Sequence, residues 1–452
     1  METIISEIAW KFIKNIVEIL SAGGGIGVIE VAALQEAKSC VARMAGVYAQ
    51  MADETIVADK AARRESGHSI ERRGDERRLQ TLVGEVCYER TYFRKASGGY
   101  EYLTDRILDV EPRNRVSAGL SLSLVKAAKD MSYGKASNHI SSGEISRQTV
   151  MGRVRKSCSV GTPVDQRRRV PELHIDADEA HITLRGGKKS EVPLISVYEG
   201  IGSKGKRNYC KNVFHISEYG KTPDELWEQA SAEIERRYDL TGTRIYLHGD
   251  GAAWIKRCFE WIPQALFVLD KYHKNKAVKG MTAGLGKEEQ KQFDAAIREA
   301  LAYEDLQFFG ELTQVLSAEQ PERTDKIREN AGYLRNHVDG ICICEKDPYA
   351  NNGGCTEPHV SHVLSARLSS RPMAWSKETL TQLAPILAAG QVELQKARPE
   401  KSTLPKPLKK AAAMASKALR KWSAGLPHPD AIGTLPIAGK ITGTQVLLKH
   451  FA

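Results

Sequence analysis

The chain opens with apolar residues at the spacing of an amphipathic helix. A run of three glycines at 23–25 ends this pattern, and a second helical pattern extends from about 28 to 60. A period near 3.6 residues predicts helices, and consecutive glycines interrupt them. We therefore predict a helical region over residues 1–62 and treat it as a candidate dimerisation surface. The apolar positions of the first helix are Ile4, Ile5, Ile8, Phe12, Ile16 and Leu20.

Strict alternation replaces the helical pattern within residues 63–116. β-prone residues alternate with polar ones on both sides of a turn signal at 84–85, and two glycines at 98–99 mark the next turn. Two alternating runs joined by a short turn predict a β-hairpin. The region is rich in charged residues, and we expect several cations on the polar side of the hairpin. These are Arg90, Arg94 and Lys95.

Residues 117–170 have the pattern of three short helices followed by a basic segment. Ser146 can cap the third helix, in which Val150 and Val154 share one face. A second packed helix that presents polar side chains is typical of a helix-turn-helix, which binds the major groove of DNA. Three short helices also occur in proteins of many other classes, and the basic residues favour DNA. The candidate DNA contacts are Arg147, Gln148, Thr149, Arg153, Arg155 and Lys156.

β-prone segments dominate from residue 171 onward. Their strand and helix signals follow the order β-β-β-α-β-α-β, which is that of a ribonuclease-H-like fold. We predict an α/β core of this fold over residues 171–395, with an all-α insertion at about 274–340. A basic, proline-punctuated tail follows over residues 396–452. The strand signals are 173–178, 181–184, 192–198, 212–216, 244–250 and 265–269.

Composition narrows the class of protein. The 452 residues are 41% hydrophobic and 27% charged, which is the composition of a globular protein. We therefore expect neither a largely disordered chain nor a membrane-spanning segment. Eight cysteines in a chain of this length indicate a reducing setting, and we expect a cytoplasmic protein. The net charge is +10. The positive excess lies within residues 61–170 and 401–452, where we expect DNA to bind.

Three acidic residues stand out by their context. Asp178 lies in the first strand of the α/β core, Asp250 follows an apolar strand and precedes a glycine, and Glu357 opens a helix after a glycine-rich loop. Carboxylates gathered from separate elements are the hard oxygen ligands that pairs of Mg²⁺ ions require. The alternative is that these acids are ordinary surface residues, because acids are common in any chain.

The segments around these acids resemble the ISLre group of bacterial insertion-sequence transposases, which is related to the Mutator-type DDE transposases. The similar segments read HIDADEAH at 174–181, YLHGDGAAWIK at 246–256 and GCTEPHVSH at 354–362. The resemblance extends over most of the chain. It implies a DDE triad of Asp178, Asp250 and Glu357 in a ribonuclease-H-like core. Such a core cuts and joins DNA with two Mg²⁺ ions, and Mn²⁺ can replace them.

The resemblance also implies roles for two further residues. The Mutator-type relatives carry an Asp/Cys-x-x-His element between the second and third acids, and Asp270-Lys271-Tyr272-His273 matches it. His273 would then contact the scissile phosphate or order the site, unless it is only part of a helix cap. Asp176 has the same strand parity as Asp178 and is the alternative first acid. The Asp-x-x-x-x-x-x-Arg spacing that ends at Arg185 favours Asp178.

A cluster of cysteines and histidines offers a competing hypothesis, a structural zinc site. The spacing is irregular, so small buried thiols and histidines flanking an active site are the favoured interpretation. No phosphate-binding P-loop and no serine nucleophile elbow is present. The residues concerned are Cys342, Cys344, Cys355, His359 and His362.

Together these features predict a transposase of a bacterial insertion sequence. It would bind double-stranded DNA, both the terminal inverted repeats and the target, and catalyse metal-dependent strand cleavage and transfer. Synapsis of two ends requires a homodimer or higher oligomer on DNA, and we expect association with the nucleoid. The alternatives are a DNA-binding regulator with a degenerate core and a metal-dependent nuclease without joining activity.

Overall fold

A computed structural model of the chain describes residues 2–160, 164 and 166–394, together with 413, 414, 417 and 420. The described chain falls into two compact units, one within residues 1–123 and one within residues 124–395. Apart from the last four residues named, the predicted tail over 396–452 lies outside the described part. No helix in the described ranges is long and apolar enough to cross a membrane.

The first unit combines long helices with a three-stranded sheet. Its order is β1-β2-β3, and all pairs are antiparallel. The second helix is anchored to the sheet through Asp53, whose buried carboxylate accepts hydrogen bonds from the Thr91 amide at 2.8 Å and the Thr91 hydroxyl at 2.6 Å. The elements are α1 (Glu2–Ser21), α2 (Ile26–Ala58), α3 (Lys60–Glu65), β1 (His68–Thr81), β2 (Gly84–Lys95), β3 (Tyr100–Tyr102) and α4 (Leu103–Ile107).

The hairpin differs from the prediction at Arg90. This side chain is buried and forms an ion pair with the buried Asp105, whereas Arg94 is exposed and pairs with Glu71. Arg90 has the strand parity of Tyr88, which also donates a hydrogen bond to Asp105, at 3.0 Å. The expectation that Arg90 lies on the polar side of the hairpin was therefore wrong, because its parity points inward and a buried carboxylate receives it.

The second unit contains a five-stranded sheet, an all-helical insertion and the helices of the predicted helix-turn-helix. Helix α5 begins just before this unit. The elements are α5 (Ala118–Asp130), α6 (Tyr133–Ser141), α7 (Arg147–Arg155), β4 (Ser157–Val160), β5 (Glu172–Thr183), β6 (Lys189–Tyr198), β7 (Ile201–Lys204), β8 (Arg207–Cys210), β9 (Phe214–Ile216), α8 (Pro223–Arg237), β10 (Arg244–Gly249), α9 (Ala253–Lys256), α10 (Cys258–Trp261), β11 (Ala265–Leu269), α11 (Lys271–Thr282), α12 (Lys287–Ala302), α13 (Leu306–Glu319), α14 (Thr324–Asn336), α15 (Val338–Lys346), α16 (Thr356–Val360), α17 (Ala366–Leu368), α18 (Lys377–Ala388) and β12 (Gln391–Leu394).

The five-stranded sheet has the order β11-β10-β5-β6-β9. Strands β5, β6 and β9 are antiparallel neighbours, whereas β10 and β11 run parallel to β5. One face of β5 carries Leu173, Ile175 and Ala177, which pack with the apolar face of α8 in a buried core. Alternation therefore places His174 and Asp176 on the opposite face.

Two strand signals of the sequence form one strand. Segments 173–178 and 181–184 were predicted separately, but β5 is continuous over Glu172–Thr183 and pairs with β6 along this length. The residues between the two signals, Glu179 and Ala180, include no glycine or proline that would turn the chain. Asp178 therefore lies inside the strand and has the parity of His174 and Asp176.

The insertion between β11 and α16 consists of helices α11 to α15. They enclose an apolar core of their own. Fully buried side chains from four of these helices meet in it, because each helix presents an apolar stripe at helical spacing. They include Val278, Met281, Ile297, Phe309, Leu316 and Leu334.

Candidate functional site

The ends of three parallel strands bring acidic residues together. The register pairs His248 of β10 with Asp176 of β5, so the continuation of both strands sets Asp250 beside Asp178. Asp270 follows β11, and its amide donates to the Gly249 carbonyl at 3.0 Å. The carboxyl ends of adjacent parallel strands are a frequent place for binding sites in α/β proteins. We call Asp178, Asp250, Asp270 and His273 the carboxylate site.

The ionised form of the Asp178 carboxyl group is unfavourable at this position. Burial raises its pKa to about 6, and the negative charges of Glu179 and Asp250 act in the same direction. The Glu179 amide, which donates to Asp178 Oδ1 at 2.8 Å, and the nearby His273 act in the opposite direction. A half-buried acid beside a second acid favours a positively charged ligand, because a cation relieves both the burial and the repulsion.

His273 lies next to the two acids, in surroundings that favour its protonated form. Its Nδ1 lies 2.6 Å from Asp270 Oδ2, and Asp270 also caps α11 by accepting the His273 amide. This hydrogen bond raises the pKa of His273, and the charges of Asp178 and Asp250 add to the effect although burial opposes it. His273 is thus both part of the helix cap and a neighbour of the two acids. It can supply a positive charge or a proton at this edge of the sheet.

The insertion contributes two contacts that the sequence analysis missed. Tyr333 of α14 donates its hydroxyl proton to the Asp250 carbonyl oxygen at 2.8 Å. Gly251 has a φ of +87°, and a methyl group there would overlap the imidazole of His337. Because only glycine adopts such a φ readily, the turn after Asp250 is fixed both by its own backbone and by α14.

Asp176 lies deeper in the protein than Asp178. It is 2% exposed, and its carboxylate accepts hydrogen bonds from the Tyr198 hydroxyl at 3.0 Å and the Cys355 amide at 2.9 Å. His359 Nδ1 lies 3.1 Å from the same carboxylate, and burial raises the Asp176 pKa. Asp176 is therefore held by groups of the protein itself, whereas Asp178 adjoins Asp250.

A pair of buried histidines continues the polar face of the sheet. His174 Nδ1 lies 2.9 Å from His248 Nε2. Burial lowers the pKa of His174 to about 4 and that of His248 well below its usual value, so both rings are neutral at pH 7. A methyl group at Gly353 would overlap both rings. This close approach fixes the loop before Glu357 against the sheet.

Glu357 is the predicted acid that the structure does not bring to the other two. It lies exposed in the first turn of α16, and no hydrogen bond or ion pair of its side chain is recorded in the described chain. Over those residues, no three His, Cys, Asp or Glu side chains are arranged to hold a metal ion. Asp178 and Asp250 fit a divalent cation in their chemistry, but the complete two-ion ligand set is not assembled.

The candidate zinc ligands are engaged separately. Cys342 Sγ donates to Glu304 Oε1 at 2.6 Å, and His359 contacts Asp176. The Cys355 thiol shares a hydrogen bond with Cys210. The cysteines and histidines of this cluster therefore have different partners. Among the described residues, they do not form a group that could bind a zinc ion.

The candidate DNA contacts of the predicted helix-turn-helix differ in how exposed their side chains are. Ser146 caps α7 by accepting the Thr149 amide at 3.1 Å, as predicted from the sequence. Arg147, Gln148 and Lys156 are exposed, whereas Thr149 and Arg153 are half-buried. Arg155 donates to the hydroxyls of Ser376 and Thr379 and pairs with Glu378 at 2.9 Å. It therefore connects α7 to α18 instead of facing a ligand.

Comparison with known proteins places the chain in a family. The model of UPF0236, an uncharacterised protein family, matches residues 31–400. The chain belongs to this family. A UPF0236 protein of Caldanaerobacter subterraneus subsp. tengcongensis is 35% identical over 392 residues, which cover 85% of this chain and 82% of that protein.

Two further UPF0236 proteins show how the family is distributed. A second protein of the same organism is 35% identical over 337 residues, 74% of this chain and 70% of its own, and its name joins many gene labels of that one genome. A UPF0236 protein of Streptococcus gallolyticus, described as lying in the vanSb 3′ region, is 24% identical over 299 residues. That match covers 60% of this chain and 66% of the Streptococcus protein.

Proposed function

We propose that this UPF0236 protein is a DDE-type transposase that cleaves and joins DNA at the ends of an insertion sequence. The observation that carries the proposal is the juxtaposition of Asp178 and Asp250 at the ends of β5 and β10, with His273 beside them. The raised pKa of Asp178 supports a cation-binding role for this pair. A divalent metal bound there would activate the attacking oxygen and stabilise the leaving one.

The order and directions of the strands support the same proposal. A ribonuclease-H-like core has three antiparallel strands followed by two that run parallel to the first, and β5, β6, β9, β10 and β11 have this arrangement. The many gene labels that a relative carries within one genome are what a self-copying element leaves behind. We therefore assign Asp178 and Asp250 as metal ligands and Glu357 as a third ligand that must approach them when DNA and metal bind.

A second function is favoured by one observation. Glu357 is exposed and outside any group of metal ligands in the described residues. A regulator that binds DNA through a degenerate core would show the same separation of the three acids.

One substitution separates the two functions. Purified wild-type protein and the Asp250→Asn variant are incubated with Mg²⁺ and labelled DNA that carries both flanks of the gene. We expect the wild type to cut at the element ends and the variant to bind the same ends without cutting. Asp224→Asn, an acid 47% exposed on α8, is the control and should cut normally. Cutting by the Asp250 variant would exclude the proposed site, and binding without cutting by every protein would favour the regulator.

A further inference from the structure

A small cavity outside the carboxylate site lies where two helices begin. Its volume is about 280 Å³. Helix α7 begins there at Arg147 after the Ser146 cap, and α18 begins at Lys377 after the Ser376 cap. Its size suits one phosphate group with part of a nucleotide, since it falls at the lower limit of small-ligand pockets. The lining residues that matter are Tyr133, Arg147, Gln148, Arg185, Trp375 and Ser376.

The walls of this cavity are fixed by backbone hydrogen bonds. The Trp375 amide donates to the Thr183 carbonyl at 3.0 Å, and the Arg185 amide donates to the Trp375 carbonyl at 2.9 Å. The Trp375 indole also donates to the Leu368 carbonyl at 2.8 Å. These bonds hold the end of β5 against the segment that leads into α18. The cavity is thus formed before any ligand binds, which lowers the entropy cost of binding.

The charge around the cavity is positive. Arg147 and Arg185 are exposed, and no hydrogen bond or ion pair of either guanidinium is recorded within the described ranges. Glu378, the acid on the first turn of α18, is already paired with Arg155. The first turns of two helices add unsatisfied amide groups and the positive ends of their dipoles. Guanidinium groups and helix N-termini together recognise phosphate oxygens.

Aromatic rings complete the lining. Trp375 is 7% exposed, and the buried Tyr133 hydroxyl has no hydrogen-bond partner among the residues that the structure describes. Arg367 lies over both rings, 5.2 Å from the Tyr133 centroid and 4.9 Å from that of Trp375. Because Arg367 lies over the rings and Trp375 is almost fully buried, the rings are not open platforms for a base, and they form an apolar edge of the cavity that the carbons of a sugar can contact. A phosphate with an attached sugar therefore matches the lining better than an inorganic anion does.

We propose that this cavity binds one phosphodiester of a DNA strand. The phosphate lies between Arg147 and Arg185, and the adjoining nucleotide contacts Tyr133 and Trp375. The proposal rests on the proposed function only in taking DNA as the substrate. It gives Arg147 and Gln148 a role in holding the backbone of DNA, which differs from the reading of bases in the major groove. Arg185 lies two residues after the end of β5, the strand that carries Asp178, so it would connect the bound phosphate to the carboxylate site.

The test compares two charge-matched double variants in DNA binding at several salt concentrations. Arg147→Ala with Arg185→Ala removes the two cavity cations, and Arg207→Ala with Arg328→Ala removes two exposed arginines elsewhere. We expect the cavity variant to lose about tenfold or more in affinity for labelled DNA. Its slope of log affinity against log salt should fall by about 0.7 to 0.9, because the two arginines neutralise one phosphate and each neutralised phosphate contributes about that much. The control should keep the slope of the wild type.

Two outcomes overturn the proposal. The first is an unchanged DNA affinity of the cavity variant, whether or not this variant also loses calorimetric binding of inorganic phosphate. The second is an equal loss of DNA affinity in both double variants. Cleavage measured on the same proteins separates this proposal from the proposed function. If DNA cutting depends on Asp250 and the cavity variant binds DNA normally, only the proposed role of the cavity is refuted. Cavity-dependent binding without any cutting supports the cavity and refutes only the transposase.

Discussion

Because the ionised form of Asp178 is unfavourable in the folded protein, removing its charge should stabilise the fold. In the Asp178→Asn variant the amide oxygen can still accept the Glu179 amide, so the main change is the loss of ionisation. The folded-state pKa of about 6 lies about two units above the ordinary value of 3.8. Two units correspond to about 3 kcal/mol at most. Because the folded pKa is the higher one, the wild type loses this stability as pH rises from about 4 to above 6.

The measurement is urea unfolding of the wild type and the variant at pH 4 and at pH 8. We expect the variant to be more stable at pH 8, by up to about 3 kcal/mol, and the two proteins to be equal within about 0.5 kcal/mol at pH 4. Mg²⁺ at pH 8 should stabilise the wild type and narrow the gap. Glu228→Gln, on the exposed face of α8, should show no pH-dependent gap. A gap that is the same at both pH values would show that the ionised form of Asp178 is not unfavourable in the folded protein.

Two matched pairs of substitutions test the structural supports. Gly251→Ala should destabilise the protein by about 1–2 kcal/mol or more because of its positive φ and the overlap with His337, whereas Gly332→Ala, in the open part of α14, should be neutral or stabilise by about 1 kcal/mol. Thermal unfolding measures both, and equal melting temperatures would contradict the fixed turn. Arg90→Ala should cost about 3–5 kcal/mol because it leaves a buried carboxylate unpaired, while Arg94→Ala should cost at most about 1 kcal/mol. Similar losses in urea unfolding would show that Arg90 is not buried as described.

Alternation along β5 made part of the site predictable. The odd positions Leu173 and Ile175 are apolar, so the even positions had to share the other face, and Asp178 belongs to them. An acid after the apolar strand β10 then pointed to Asp250. The sequence supplied no register between β5 and β10, however, and the structure alone shows that the two acids are neighbours.

Contacts made by distant residues could not be predicted. Tyr333 and His337 lie more than eighty positions after Asp250, and a helical pattern does not tell which residue of α14 reaches a strand end. The ion-pair partner of Arg90 could not be predicted for a similar reason. The parity of β2 indicates that Arg90 points inward, but only the fold of α4 brings the Asp105 carboxylate to it. Long-range packing, which local patterns do not encode, decides these cases.

Strand transfer tests the central claim most directly. A labelled DNA end that has already been cut, with a free 3′-hydroxyl, is incubated with protein, Mg²⁺ and unlabelled circular target DNA, and covalent products are separated on a denaturing gel. Our account predicts that the wild type joins the end to the target, and that Asp178→Asn and Asp250→Asn bind the end but form no joined product. Joining by either variant, or a wild type that binds the end and never joins it, would contradict the account.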